Sequence, residues 1–372
     1  MEPQEIAEQV RLCAGCPKMC RHRCPTFFAW RSDSPTPHGR ALLIHYENTE
    51  TRDIDSRGAE VLYQCLQCSQ CLTWCLPGVD IAEIVESMRK SLVSRDLQPA
   101  GLNSLRESIE SHHNPFREDH DERNQWLGVE TQEKTDIIYF AGCTSSYREK
   151  EIARATVSLL HHLNYSVQVA PDEWCCGSPL VRTGFEEASK RVAQHNADLL
   201  NSLDADEILV TCPGCYKTLT NDYADYGINL NKPVVHLSEF LEHRLDSLPK
   251  TDFETNLTYH DPCHLGRHSE IYDAPRSVIE TVTGKEVVEM DQSRENAMCC
   301  GNGAGLRTLF PDYAHKIGKE RIRQAKETGA GILVSTCPFC KNMLNAEADY
   351  DLEVLDLSEL VEFARSREFK SA

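Results

Sequence analysis

No stretch of the 372 residues approaches the ~20 consecutive apolar residues that a membrane-spanning helix needs. The first ten residues, MEPQEIAEQV, are polar and acidic and carry no leader pattern. These two absences predict a cytoplasmic chain, reaching the inner face of a membrane only through a partner. Basic charge is also scarce. Lys and Arg number 39 against 58 Asp and Glu, a formal net charge of −19. A nucleic-acid ligand is thereby disfavoured, because phosphate neutralisation needs a basic surface. A dinucleotide fingerprint is missing too. GNGAG at 301–305 is too short and wrongly placed for one, and reads as a loop wrapping a metal site. No flavin or NAD site is expected in this chain. The apolar content, 40%, still suffices for the cores of two or three domains.

What the sequence does have is cysteine, 18 of them. In a chain with no secretory leader this points to metal or redox chemistry rather than disulfides. The cysteines fall into four groups with none left over. Cys13, Cys16, Cys20 and Cys24 read C-x2-C-x3-C-x3-C-P; Cys65, Cys68, Cys71 and Cys75 read C-x2-C-x2-C-x3-C-L-P. The second run closely matches the bacterial ferredoxin pattern, in which the fourth cysteine ligates the other cluster. By that logic Cys13, Cys16, Cys20 and Cys75 hold one [4Fe–4S] cluster, and Cys65, Cys68, Cys71 and Cys24 hold another. Zinc is the weaker alternative, since its sites more often use two distant CxxC pairs. The 40 residues at 25–64 include SPTPHGRALLI, a turn running into a helix, and 81–95 place Ile81, Ile84, Val85, Met88 and Leu92 on one helical face. An all-helical ferredoxin domain over 1–100 is predicted. Residues 101–135, charged and without a clear period, read as a connector.

From 136 onward strands alternate with helices, the pattern of α/β units with a parallel sheet. The pattern then repeats: DIIYFAGC (136–143) matches NLTYHDPC (256–263), EWCCGSP matches AMCCGNG, EILVTCPGC matches GILVSTCPFC, and the LSE triplets at 237 and 357 correspond. An offset near 120 residues throughout marks an internal duplication. Two copies of one α/β domain, 136–250 and 251–372, are predicted to be related by a pseudo-twofold. Each copy carries five cysteines: Cys143, Cys175, Cys176, Cys212 and Cys215 in the first, Cys263, Cys299, Cys300, Cys337 and Cys340 in the second. A bridge between neighbours such as Cys175 and Cys176 would be strained, because adjacent Cα atoms lie about 3.8 Å apart and relaxed disulfides want roughly 4.4–6.8 Å. Shared metal is the better reading. Loops at the carboxyl ends of parallel strands are where such folds build sites, and a helix N-terminus after each Cys-Pro favours thiolate. His260, His264 and His268 surround Cys263 and read as outer-sphere hydrogen-bonding or helix-packing groups, with a proton donor to a substrate sulfur as the alternative.

These five-cysteine spacings resemble those of the heterodisulfide reductase family and its CCG domains. The layout, a two-cluster ferredoxin domain ahead of two CCG domains, is similar to its catalytic subunit. It is similar also to iron–sulfur subunits of anaerobic glycerol-3-phosphate dehydrogenase and glycolate oxidase, and to electron-transfer subunits of benzoyl-CoA reductase complexes. NPF at 114–116 with Arg123 and Trp126 resembles the family's inter-domain segment; no chemistry is assigned to it. The resemblance implies that each complete motif binds a noncubane [4Fe–4S] cluster. That makes four clusters in all, two of them cubane, with the ten CCG cysteines as the catalytic set. It implies an oxidoreductase subunit in a larger anaerobic complex, passing electrons between a flavoprotein, a membrane cytochrome or a quinone-linked partner and the CCG clusters. The alternative is a subunit that itself cleaves a small disulfide.

Overall fold

A computed structural model describes residues 3–127 and 135–371. Its first hundred residues are helical, with no strand among the described residues. Helix Pro37–Asn48 starts where Thr36 accepts from the Gly39 N–H, and helix Ile81–Ser94 where the Asp80 carboxylate accepts from Ala82 and Glu83. Of the expected apolar face of Ile81–Ser94, Ile81, Ile84, Val85 and Leu92 are buried and Met88 is half-buried, and Arg89 is buried as well.

Two parallel sheets follow. The first is ordered β2-β1-β3-β4, from β1 (Ile137–Phe140), β2 (Val167–Val169), β3 (Glu207–Val210) and β4 (Val234–His236). The second is ordered β5-β6-β7, from β5 (Leu257–His260), β6 (Ile332–Ser335) and β7 (Glu353–Asp356). The strands are short, and β1, β2, β5 and β6 are wholly buried and β3 nearly so, as parallel strands covered on both faces must be, whereas the edge strands β4 and β7 are only partly buried. The duplication is therefore structural. Tyr139 Oη bonds Thr211 Oγ1 at 3.1 Å in one copy, and Tyr259 Oη bonds Thr336 Oγ1 at 2.6 Å in the other. The second helix after β1 (Lys150–His162) packs on the last helix (Leu357–Ser371), and the helix after β5 (Asp273–Thr283) packs on Leu237–Glu242. Those two contacts are exchanged by a pseudo-twofold, and one core runs through both copies, from Tyr139 and Leu160 to Val278 and Leu360.

The copies differ at one edge. The second sheet has no counterpart of β2: Val288 N–H reaches the Leu257 carbonyl at 2.9 Å, but the Val288 carbonyl is taken by the Thr258 hydroxyl at 2.7 Å, so no ladder forms. The stretch 101–135 is also more than a connector. It contains helix Gly101–His112 and a turn, His120–Glu122, and it buries Arg123 and Trp126 against the first sheet; its residues 128–134 lie outside the described residues. Among the described residues no helix is long and apolar enough to cross a membrane.

Candidate iron–sulfur centres

All 18 cysteines are unbridged. In the helical region the structure brings the cysteines of the two runs close to one another. Burial raises the Cys13 thiol to about 12, and nearby Cys20, Cys16 and Cys75 add to the effect. Cys71 is raised well above the ordinary thiol range, by burial first and then by Cys65, Cys68 and Cys24. Cys75 thus lies near Cys13 and Cys20, and Cys24 near Cys71, while Cys20 also neighbours Cys24 and Cys71. Cys16, Cys20, Cys71 and Cys75 keep some exposure, whereas Cys65 and Cys68 are buried.

The α/β copies gather their cysteines as the repeat requires. The first-copy Cys143 opens a short helix after β1; Cys175 and Cys176 sit in the turn after β2, and Cys212 caps the helix after β3. Gly177 and Gly301, which follow the paired cysteines, have φ of 93° and 94°. An L-residue is strained there. At Gly301 a Cβ would also stand 2.6 Å from the Ala314 carbonyl. At Gly142 (φ 75°) it would stand 3.1 Å from the Cys215 sulfur.

The cysteine side chains neighbour one another in one line. Cys175 contacts Cys143 and Cys176, Cys176 contacts Cys215, and Cys215 contacts Cys212. Cys212 then meets Cys337 of the other copy. The line continues through Cys340 and Cys300 to Cys299, which touches both Cys263 and Cys68 of the helical region. All ten thiols of the two copies line a single cavity of about 550 Å³. The GNGAG loop forms part of its wall through Gly303, Ala304 and Gly305. Burial pushes Cys143 far up, and neighbouring Cys175 pushes it further. Five thiolates in one buried pocket repel each other unless a cation is bound among them. The donor set, all soft sulfur, is what iron–sulfur clusters take. The residues therefore fit such clusters: ten cysteines around the cavity and eight in the helical region.

Charged groups around the cavity include some that sequence reasoning missed. The Arg123 guanidinium lies 3.6 Å from Cys143 Sγ and pairs with buried Glu173. Glu173 also accepts the N–H groups of Ala141 at 2.8 Å and Gly142 at 2.9 Å, fixing the turn that carries Cys143. In the second copy Ala297 stands where Glu173 would be. Asp261, two residues before Cys263 in the chain, supplies the buried carboxylate instead and binds Arg276 at 2.8 and 3.0 Å. No pattern in the sequence ties residue 123 to residue 173; the only signal was the segment's resemblance. The three histidines divide their work. His260, buried, accepts from Arg321 at Nδ1 (3.0 Å) and lies within reach of Cys300 and Cys340. His264 Nδ1 is 3.5 Å from Cys263 Sγ, and His268 bonds the Gln67 carbonyl at 2.9 Å.

Paired parallel-sheet domains with cysteine-only centres, joined to a helical region with ferredoxin spacing, define an iron–sulfur oxidoreductase subunit. The family description "Cysteine-rich domain", CCG, matches residues 137–220 and 257–345. The chain is 34% identical over 380 residues to a subunit of the dihydromethanophenazine:CoB–CoM heterodisulfide reductase of Methanosarcina barkeri, covering 94% of this chain and 92% of that protein. It is 29% identical to the EtfAB:quinone oxidoreductase of Syntrophomonas wolfei, over 82% of this chain and 47% of the relative. A hypothetical protein from Helicobacter pylori shares the fold, with a TM-score of 0.57 at 10% identity over 88% of this chain and 68% of that one. The chain belongs to the heterodisulfide reductase family of CCG-domain iron–sulfur proteins.

Proposed function

We propose that the chain is the electron-transfer subunit of a multi-subunit oxidoreductase, moving electrons between a flavoprotein or quinone-linked partner and the cysteine-lined cavity. The single observation behind this is the unbroken line of sulfur from the helical region through Cys68 and Cys299 to Cys143. Four [4Fe–4S] clusters, cubane at the ferredoxin sets and noncubane at the CCG sets, supply the one-electron carriers when bound. Arg267 Nε donates to the Cys68 carbonyl at 2.5 Å and His268 holds that of Gln67, so the second copy grips the Cys65–Cys68 loop directly. The first copy packs on the same helical region, where Cys143 and Cys175 share one core cluster with Cys13 and Cys65.

A second reading is favoured by one feature. Both five-cysteine sets are complete and face each other across one cavity, with Arg148, Arg182 and Arg307 also at its wall. Arg148 and Arg182 have carboxylate partners, whereas Arg307 bonds only Asn342 at 2.8 Å and Asn302 at 3.5 Å among the described residues. A small disulfide could be cleaved there, and the relative named for heterodisulfide reduction matches over nearly its whole length.

Anaerobically purified protein is expected to hold about sixteen irons per chain, four for each of four clusters. Zinc in place of iron would end both readings. Cys176→Ser is expected to remove the first-copy signal and leave both ferredoxin signals in the electron paramagnetic resonance spectrum; loss of all signals together would refute the grouping. Isolation of the native complex then separates the two readings. A flavoprotein or acyl-CoA enzyme among the partners supports relay, and disulfide reduction by the chain alone supports catalysis.

A further inference from the structure

Of the exposed apolar side chains of the helical region (Leu12, Met19, Tyr46, Trp74 and Leu76), Met19, Trp74 and Leu76 flank two neighbouring cysteines. Leu76 is fully exposed and Met19 is 65% exposed. Leu76 follows Cys75 and Met19 precedes Cys20, two thiols that sense each other. Trp74, on the other side of Cys75, meets His22 at 5.2 Å and carries the Arg23 guanidinium 4.8 Å over its ring. These side chains therefore form one patch over the Cys13, Cys16, Cys20 and Cys75 set, whose outer cysteines are themselves part-exposed. Its charge is opposite to that of the molecule. Between Gln9 and Ser32 the sequence has no Asp or Glu, yet it holds Arg11, Lys18, Arg21, Arg23 and Arg31. Carboxylates enter only at the margin, where Asp33 pairs with Arg21 at 2.7 Å and with Lys18 at 3.5 Å, leaving Arg23 on the Trp74 ring, and where Glu295 follows in the turn that bonds Thr73 and Trp74.

We infer that this patch is the docking surface for an acidic one-electron carrier protein, an inference that rests on the relay reading above. The occupant follows from charge. A chain at −19 repels an acidic protein over most of its surface and attracts it where the local excess is basic. Docking is thereby oriented onto the edge where the outer cysteine set approaches solvent. An apolar centre of Met19 and Leu76 with a charged rim is the anatomy of a small, short-lived electron-transfer interface. One electron leaves the reduced carrier, which is oxidised by one, and enters at the Cys20–Cys75 edge; no bond is made or broken.

The test uses the iron-loaded full chain and a reduced, acidic two-[4Fe–4S] ferredoxin as probe, in stopped flow and in zero-length carbodiimide cross-linking. In the wild type the rate is expected to fall steeply with added salt, and the cross-link to map to Lys18. The pair Lys18→Glu/Arg23→Glu is expected to slow reduction at least ~10-fold at low salt and to abolish the salt dependence. The pair Met19→Glu/Leu76→Glu is expected to slow it at all salt concentrations. Reduction by a neutral photogenerated deazaflavin radical should be unchanged in both pairs. Variants as fast as wild type with the ferredoxin, a cross-link elsewhere, or faster reduction by a basic carrier would overturn the inference. Should wild-type protein resist the deazaflavin radical as well, the relay reading fails, while the cross-link still judges the surface.

Discussion

At the scale of single residues, the first-copy site depends on a buried ion pair that leaves no local mark in the sequence. Arg123 and Glu173 are each under 3% exposed, and together they hold Cys143 from the side chain and from the backbone. Burial pushes the Glu173 carboxyl up, while Arg123 and the two amide donors pull it back. Removing one partner strands the other. Arg123→Met is therefore expected to cost about 3–5 kcal/mol, read as a lowered urea midpoint of the anaerobic protein. The double variant Arg123→Met/Glu173→Gln is expected to recover part of that loss. A double variant no more stable than Arg123→Met would mean that the pair's worth lies in orienting Cys143 rather than in charge balance.

At the scale of elements, the turns after the paired cysteines are alike in φ but differ in room. A Cβ on Gly177 would meet the Ser189 hydroxyl at 3.2 Å, a side-chain end that can move; on Gly301 it would meet backbone at 2.6 Å. Gly301→Ala is expected to cost the second copy its iron, and Gly177→Ala to cost the first copy less, as measured by iron content of each purified variant. The strand-to-helix step at β7 gives a pH effect. Asp356 caps the last helix by accepting from Ser358 N–H at 3.0 Å. Burial first, and Glu359 second, raise its carboxyl to about 7 from an ordinary 3.8. Between those values the folded chain keeps a proton that the unfolded chain has lost. The stabilisation is full below about pH 4 and is lost as pH rises through about 7. Asp356→Asn is expected to flatten the fall in melting temperature between pH 5 and pH 8; an unchanged slope would place the titration elsewhere.

At the scale of the whole molecule, one guanidinium ties three parts together. Arg89 donates to the carbonyls of Leu62 (2.8 Å) and Cys65 (2.7 Å) in the helical region. It also reaches the carbonyls of Arg182 (2.7 Å) in the first copy and Ala304 (3.1 Å) in the second. Burial lowers its pKa to about 10, which still leaves it charged at neutral pH. The same junction is closed by Gly184, whose φ of 90° and 2.5 Å approach to the Arg89 backbone admit no side chain. Arg89→Leu orphans four carbonyls, at ~1 kcal/mol or more for each one left dry. Faster hydrogen exchange is expected around residues 62–66, 182–184 and 304 together; acceleration confined to one part would show that the three are held independently.

The sequence by itself determined the chemistry and the plan of this protein. Cysteine spacing is set by the size of what the thiols surround, so four groups of four, four, five and five could be read directly. A repeat near 120 residues carried the duplicated parallel-sheet fold, because strand–turn–helix units are local and their apolar periods survive divergence. The tertiary structure alone decided how the units meet. Whether Cys212 faces Cys337, whether Cys299 reaches Cys68, and whether the stretch 101–135 packs on Cys143 depend on contacts between residues tens to hundreds of positions apart, for which the chain has no local period. The buried carboxylate shows the same limit: Glu173 and Asp261 do comparable work from non-equivalent positions of the repeat. Burial and charge balance are properties of the assembled cavity, and they can be met by any residue that the fold brings there.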